Sequence, residues 1–312
     1  MKRETALELA LFGTAAALPL VLQALDEAFY IGFAARLLIF ALAATSLNFI
    51  VGYGGMVAFG HAAFFGMGAY AVALLMGAGI DSAWLAWPIA VGVAALAALA
   101  IGAVSLRTQG VYFIMITLAF AQMIYYTVIS LQVAGGDDGL PLAQRSRLAP
   151  FDLADDTTLY WVALFLLAAA LYALKRIAAS RYGHALAGLR QNATRMGALG
   201  YPVHSLKLAC FVIGAAVAAL AGALLANQNG MASPSMLYWT QSGMLLVMVI
   251  LGGVGHRYGG VLGATALLCL EEFIALYSDH SHFYVGLVLL AVVLFAPQGL
   301  AGLLDTVWRR RR

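Results

Sequence analysis

Few residues in this sequence are of types that could do chemistry, and their spacing does not assemble a catalytic group. His61 is polar and sits within a long apolar run, with Asn48 in the run before it. Polar side chains in such runs tend to face a bundle interior or a water-filled cavity. They can also serve packing alone, by bonding to a neighbouring helix. No Glu stands at metal-ligand spacing from His61, so no metal site is expected. Cys210 and Cys269 each lie in apolar stretches, where cysteine is usually a small hydrophobe. Lys2, Lys175 and Lys207 are the lysines, and none follows a glycine. The phosphate loop G-x-x-x-x-G-K-S/T is therefore missing, and any ATP that drives this chain must be bound by another polypeptide. Glu271 and Glu272 lie less than two helical turns from Asp279, which puts them near an interface. An ion-coupled carrier would need a carboxylate at mid-membrane.

The other unusual feature is glycine. The segment 52–70 reads GYGGMVAFGHAAFFGMGAY, with glycine at 52, 54, 55, 60, 66 and 68. Gly52, Gly55 and Gly66 suit close helix approach. Gly54-Gly55 also suits a broken helix, which survives at membrane depth only when buried in protein or facing a cavity. Asn48, Tyr53, Gly54, Gly55 and His61 are the candidates for a translocation path. A second Gly-rich stretch, 252–263, begins near the same face, so the pair is not an inverted repeat.

The elements that must position these residues are membrane helices. Of 312 residues, 63% are hydrophobic and 10% charged, against about 25% charged in soluble domains. The long Ala/Leu/Val/Gly runs do not alternate with period two, so helices fit and a barrel does not. Apolar spans are read at 7–25, 29–51, 56–78, 83–105, 110–131, 158–175, 206–227, 240–256, 260–277 and 283–298. The expected fold is an all-α bundle of about ten transmembrane helices, one transmembrane unit over 1–312.

Lysine and arginine concentrate on the cytoplasmic side. With Lys2 and Arg3 inside, ten crossings put Arg107, Lys175, Arg176, Arg181, Arg190, Arg195, Lys207 and Arg309–Arg312 inside. The same parity puts Asp26, Glu27, Asp81, Asp152, Asp155, Asp156 and Asp279 outside, with Arg145 and Arg147 as the outer cations. Both termini are then cytoplasmic. Lys2 and Arg3 also suit a signal-peptide n-region, which Glu4 and Glu8 oppose.

One cytoplasmic stretch, 176–205, is long enough to stand outside the bilayer. Leu186, Leu189, Ala193 and Met196 fall on one face of a helix, while Arg190 and Arg195 point elsewhere. Gly197 and Gly200 weaken that helix and Pro202 stops it. Its apolar stripe could lie on lipid headgroups or in a groove of a partner. The longest outer loop, about 132–157, is acidic and contains Gly135-Gly136-Asp137-Asp138-Gly139, a pattern that favours a turn.

Residues 47–70, LNFIVGYGGMVAFGHAAFFGMGAY, closely resemble a signature of the LivM-type permeases of branched-chain amino acid ABC transporters. GGDDGL at 135–140 and SRYGHALAGLRQNATRMGALGYPV at 180–203 match in the same order, as do SPSMLYWTQSGMLLVMVILGGVGHRYGGVLGA at 233–264 and LFAPQGLAGLL at 294–304. The resemblance implies a multi-pass subunit of the bacterial inner membrane in an ATP-driven importer. It implies a second, LivH-like permease and two ATPase subunits that bind the ATP and Mg. A periplasmic substrate-binding protein is also implied, with no cofactor, catalytic residue or nucleic-acid partner in this chain. Segment 181–202 falls where such permeases carry the helix that couples to the ATPase. Leu186, Leu189, Arg190, Ala193, Met196, Gly197 and Gly200 are its candidate residues. Many relatives carry acidic residues after this arginine, whereas Gln191-Asn192-Ala193 follow here. Asp137 and Asp138 are candidates for docking the binding protein. Branched-chain amino acids, other amino acids, amides, urea and aromatic acids all remain open as substrates.

Overall fold

The computed structural model describes residues 13, 15, 17–19, 28–148, 151, 153–277, 281–295 and 299–302. Asp26, Glu27, Asp152, Asp279, Lys2, Arg3, Arg309–Arg312 and most of the span expected at 7–25 lie outside the described residues.

The fold is nearly all α. Among the described residues the helices are α1 (Ala28–Asn48), α2 (His61–Gly77), α3 (Ala83–Ser105), α4 (Val111–Ser130), α5 (Asp156–Ala178), α6 (Arg181–Gln191), α7 (Ala193–Ala198), α8 (Val203–Asn229), α9 (Trp239–Gly252), α10 (Gly259–Ala275) and α11 (Ser281–Phe295). A π-helical turn, Phe49–Tyr53, extends α1. Among the described residues, five helices are long and apolar enough to cross a membrane: α1 with its π turn, α3, α4, α5 and α8. The others are shorter. α2 has 17 residues, about 25 Å at 1.5 Å per residue, against a hydrocarbon core of about 30 Å. It is shorter than the span expected at 56–78 because 56–60 is not helical.

α1 and α8 form the centre. Eighty-nine per cent of the apolar window of α1 is buried, against 17% for α4, which stands at the periphery. Small residues set the packing distance. A Cβ on Gly68 would lie 2.0 Å from the Ala219 carbonyl oxygen, and one on Gly222 would lie 1.7 Å from that of Phe65. The α2 and α8 backbones thus touch, the arrangement that small residues permit in membranes. Phe211 of α8 then packs edge-on against Phe64 of α2, at 5.4 Å between centroids, and against Phe113 of α4 at 6.2 Å.

The bundle has an acidic end and a basic end. α1 and α5 run parallel: Gly32 lies beside Asp156, and Asn48 shares a small pocket with Lys175. α8 runs antiparallel to them, since Gln228 Nε2 donates to the Gly32 carbonyl at 2.6 Å and Gly214 abuts Ile50. Asp81, Asp155 and Asp156 therefore stand at one end, and Lys175, Arg176, Arg190 and Arg195 at the other. The acidic-end loop folds onto the bundle. Arg145 pairs with Asp156 at 2.6 Å, and the Ser146 amide donates to Asn227 Oδ1 at 2.7 Å. A two-residue antiparallel ladder joins β1 (Leu140–Pro141) to β2 (Met231–Ala232). The glycine-rich turn before it is two 3-10 turns, with φ of +84° at Gly135 and +83° at Gly139. Asp137 and Asp138 project from it, exposed.

Candidate functional site

At the basic end, two glycine-rich breaks meet. The first follows α1. Its π turn closes with wide backbone bonds, Gly54 N–H to the Phe49 carbonyl at 3.3 Å and Met56 N–H to that of Ile50 at 3.2 Å. A Cβ on Gly54 would fall 2.6 Å from the Ile50 carbonyl oxygen, and Gly55 has φ of +66°. Side-chain-bearing residues are disfavoured at both places. The second break joins α9 to α10, with φ of +109° at Gly253 and +79° at Gly255. A Cβ on Gly52 would lie 2.5 Å from Gly255 Cα, so the two breaks are in backbone contact.

Asn48 holds them together. Its Nδ2 donates to the His256 carbonyl at 2.8 Å, and its Oδ1 accepts from the Gly255 amide at 2.9 Å. The side chain is 2% exposed and both its polar atoms are engaged. Tyr53 is half-buried and lines a cavity of about 20 Å³ with Thr45, Asn48, Lys175 and Arg257. That volume suits one water, which needs a polar lining of this kind.

α6 reaches this junction through Arg190. Its Nη1 donates to the Gly52 carbonyl. Its stem lies against Gly55, where a Cβ would come within 3.2 Å of Arg190 Cγ, and Nη1 stands 3.2 Å from the Cβ position at Gly255. The planar guanidinium, with donors in a fixed fork, suits a carbonyl at the edge of a backbone crossing. One arginine therefore bridges a surface helix to both breaks.

The remainder of the amphipathic segment differs from its expected form. One helix carrying Leu186, Leu189, Ala193 and Met196 is replaced by two. α6 stops at Gln191, and Asn192 is extended (φ −158°, ψ 98°). The Asn192 side chain caps α7 by accepting from the Arg195 amide at 2.9 Å, as Asn does at helix starts. Leu186 and Leu189 are 0% and 3% exposed in this chain's own core. Met196 folds α7 back onto Gly188. Gly200 takes φ of +86° at the end of α7, while Gly197 is exposed without such a φ. The surface left outward carries Arg181, His184, Gln191, Arg195, Tyr201 and His204, with Leu199 exposed among them. Tyr182 Oη ties α6 to α8 by donating to the Leu206 carbonyl at 2.8 Å.

His61 turns into the bundle. It is fully buried, with Nε2 2.7 Å from Ser46 Oγ. Ser46 gives its hydroxyl proton to the Ala43 carbonyl at 2.6 Å, so the hydrogen between the two side chains belongs to His61 Nε2. His61 Nδ1 has no partner among the described residues. The first turn of α2 is satisfied from other helices. Ala62 N–H donates to Ser242 Oγ of α9 at 2.8 Å, and Phe59 N–H to Thr117 Oγ1 of α4 at 3.3 Å. Ser46, Thr117 and Ser242 were not singled out by sequence. The signal that marks Asn48 and His61, a polar residue inside an apolar span, marks them too.

The structure thus gathers Asn48, Tyr53, Gly54, Gly55 and Arg190 at one end. Asp137 and Asp138 lie beyond the far end of α8, whose 27 residues span about 40 Å.

Comparison with known proteins gives a consistent picture. A family model described as "Branched-chain amino acid transport system / permease component" matches residues 29–297. The chain is 28% identical over 290 residues to the LivM permease of the high-affinity branched-chain amino acid transport system of Salmonella typhimurium, covering 84% of this chain and 68% of that protein. The Escherichia coli LivM is 29% identical over the same shares. The Escherichia coli LivH permease is 26% identical over 284 residues, 84% of this chain and 91% of that protein. No solved structure matches significantly. With the family model spanning all but the ends of the sequence, this chain belongs to the permease-component family of branched-chain amino acid transport systems.

Proposed function

We propose that this chain is the LivM-like half of a two-permease, ATP-driven importer for branched-chain or related amino acids. The observation that carries the coupling step is the Arg190 junction, which ties a polar surface helix to the breaks that end α1 and begin α10. In this reading the basic end is cytoplasmic, the chain crosses the bacterial inner membrane about ten times, and both termini are inside. The positive-inside rule supports the orientation. Two ATPase subunits bind ATP and Mg and receive the outward face of α6 and α7. When they close, they move α6. Arg190 carries that motion to the Gly52 carbonyl and the second break, which tilts α1 against α10. A backbone crossing without side chains suits such a hinge, because only two packed arrangements of it need exist.

Substrate passes between this subunit and its LivH-like partner, along small and weakly polar groups near Asn48, Tyr53, Gly54, Gly55 and His61. A periplasmic protein selects the substrate and docks at the acidic end near Asp137 and Asp138. Relatives of both LivM and LivH type support a two-permease assembly. An ion-coupled carrier is disfavoured, since the buried polar side chains among the described residues include no carboxylate.

The test is co-purification of the affinity-tagged chain with the ATP-binding subunits encoded with it. A stable complex with nucleotide-binding subunits is expected, and isolation of a chain that binds none of them speaks against the proposal. The substrate is then identified by thermal shift of the cognate binding protein across amino acids, amides and aromatic acids, since bound ligand stabilises the fold.

A further inference from the structure

The chain between α8 and α9 enters the bundle without being an α-helix. From Gly230 it runs through β2 (Met231–Ala232) and one 3-10 turn (Pro234–Met236) to the start of α9 at Trp239. Its depth follows from its contact with α2. A Cβ on Gly66 would lie 2.5 Å from Leu237 Cγ and 3.0 Å from the Leu237 amide nitrogen. Gly66 stands about eleven residues, or about 16 Å of helix, from Gly77 at the acidic end of α2. That is about half of a hydrocarbon core about 30 Å thick. α9, with 14 residues, starts near that depth and spans about 21 Å toward the basic end.

Such a segment carries backbone groups that hydrocarbon cannot satisfy. The Trp239 and Thr240 amides, in the first turn of α9, have no hydrogen-bond partner among the described residues, and Tyr238 supplies no side-chain cap. Non-helical backbone at membrane depth is tolerated only when buried in protein or lining a water-filled cavity. Ser235, Trp239 and Thr240 are exposed, so this chain does not cover the segment itself. α4 continues the same face. Tyr125 packs on Tyr238 at 5.0 Å between ring centroids, and Met123, Tyr126 and Thr127 are exposed beside it. α3, by contrast, turns Leu85, Ile89, Val93, Leu96 and Leu99 outward, an aliphatic face that suits lipid.

We propose that the start of α9 (Trp239, Thr240) and the neighbouring part of α4 (Met123, Tyr126) form a water-filled wall of the substrate path, with the second permease opposite. Water hydrates the free α9 amides. Trp239, Tyr126 and Met123 offer an apolar surface to the side chain of a passing amino acid. Asn48 and His61 are 2% and 0% exposed, so the solute meets this face rather than their side chains. That the face is wet rests only on the bundle lying in the bilayer. That it lines the path rests on the permease function proposed above.

The test is cysteine labelling of the assembled permease in proteoliposomes, with Cys269→Ser leaving this chain only the buried Cys210. The probe is a membrane-impermeant sulfonated methanethiosulfonate, which reacts with thiolates in water and not with thiols in hydrocarbon. Thr240→Cys is expected to label at least tenfold faster than Leu96→Cys, with or without ATP. Leu96 is 70% exposed near the middle of α3. Label on Thr240→Cys is expected to lower substrate uptake at least fivefold. Labelling no faster than that of Leu96→Cys in both states, as a lipid-facing surface or a dry interface gives, overturns the proposal. Rapid labelling with unchanged uptake overturns it too. Labelling is read without transport, so slow labelling leaves the permease assignment standing, whereas an unlabelled assembly that imports nothing counts against that assignment.

Discussion

Replacing Gly52 with alanine is the most local perturbation of the junction. The added Cβ would fall 2.5 Å from Gly255 Cα and 2.7 Å from Gly255 N. Both are backbone atoms, so no side chain can rotate away. Ordinary contact requires the two breaks to separate by about 1 Å, and overpacking of this kind costs about 1–3 kcal/mol. The separation also pulls on the two Asn48 bonds to the second break and on the Arg190 bond to Gly52. Gly52→Ala is therefore expected to lower the melting temperature by several degrees and to reduce substrate-stimulated ATP hydrolysis in proteoliposomes at least fivefold. Gly92→Ala is the control. It sits on α3 with nothing within 4 Å of its Cβ position, and Ala is the better helix former. It should melt at or above the wild-type temperature with full stimulation. If Gly52→Ala and Gly92→Ala behave alike in both assays, the backbone crossing does not exist as described.

Asn48→Ala leaves the Gly255 amide without its acceptor, while the His256 carbonyl keeps the Gly259 amide at 3.0 Å. At about 1–3 kcal/mol for a buried group left unpaired, a loss of about 1–3 kcal/mol is expected in denaturant unfolding, and no measurable loss would contradict the clamp. Ser46→Ala strands the His61 Nε2–H and should cost about 1–3 kcal/mol. His61→Phe in the same background should then be better tolerated than in wild type, which a double-mutant cycle reads directly. Leu189→Asp, which buries a charge in the core, should fail to fold. Arg195→Glu, on the outward face, should fold normally and lose ATPase association, seen as loss of co-purification. Normal folding of Leu189→Asp would return its side chain to the surface.

The spans were the most legible part of the sequence, because the hydrocarbon requirement leaves a long signal. α3, α4, α5 and α8 lie within three residues of the spans read from composition alone. The break at Gly54-Gly55 was half legible, since glycines within an apolar run suit close helix approach as well as a break. The meeting of that break with Gly253–Gly259 was not. It depends on a contact between residues some 200 positions apart, and local periodicity carries no such information. The amphipathic segment was misjudged for a related reason. Leu186 and Leu189 mark an apolar face, but their spacing does not say whether the chain or a partner covers it. Asn192 is the local clue that was available, since Asn three residues before Arg195 is an N-cap position. Arg190 was placed on the polar face by its spacing, yet its long stem lets it bond back to Gly52.

The central claim is tested most directly by transport of radiolabelled substrate into proteoliposomes loaded with purified components. Uptake is expected only when this chain, its permease partner, the ATP-binding subunits, the binding protein and ATP are all present. It should be abolished by Arg190→Ala at normal assembly. Uptake by this chain without ATP-binding subunits, or full ATP-driven uptake by the Arg190→Ala assembly, would contradict it.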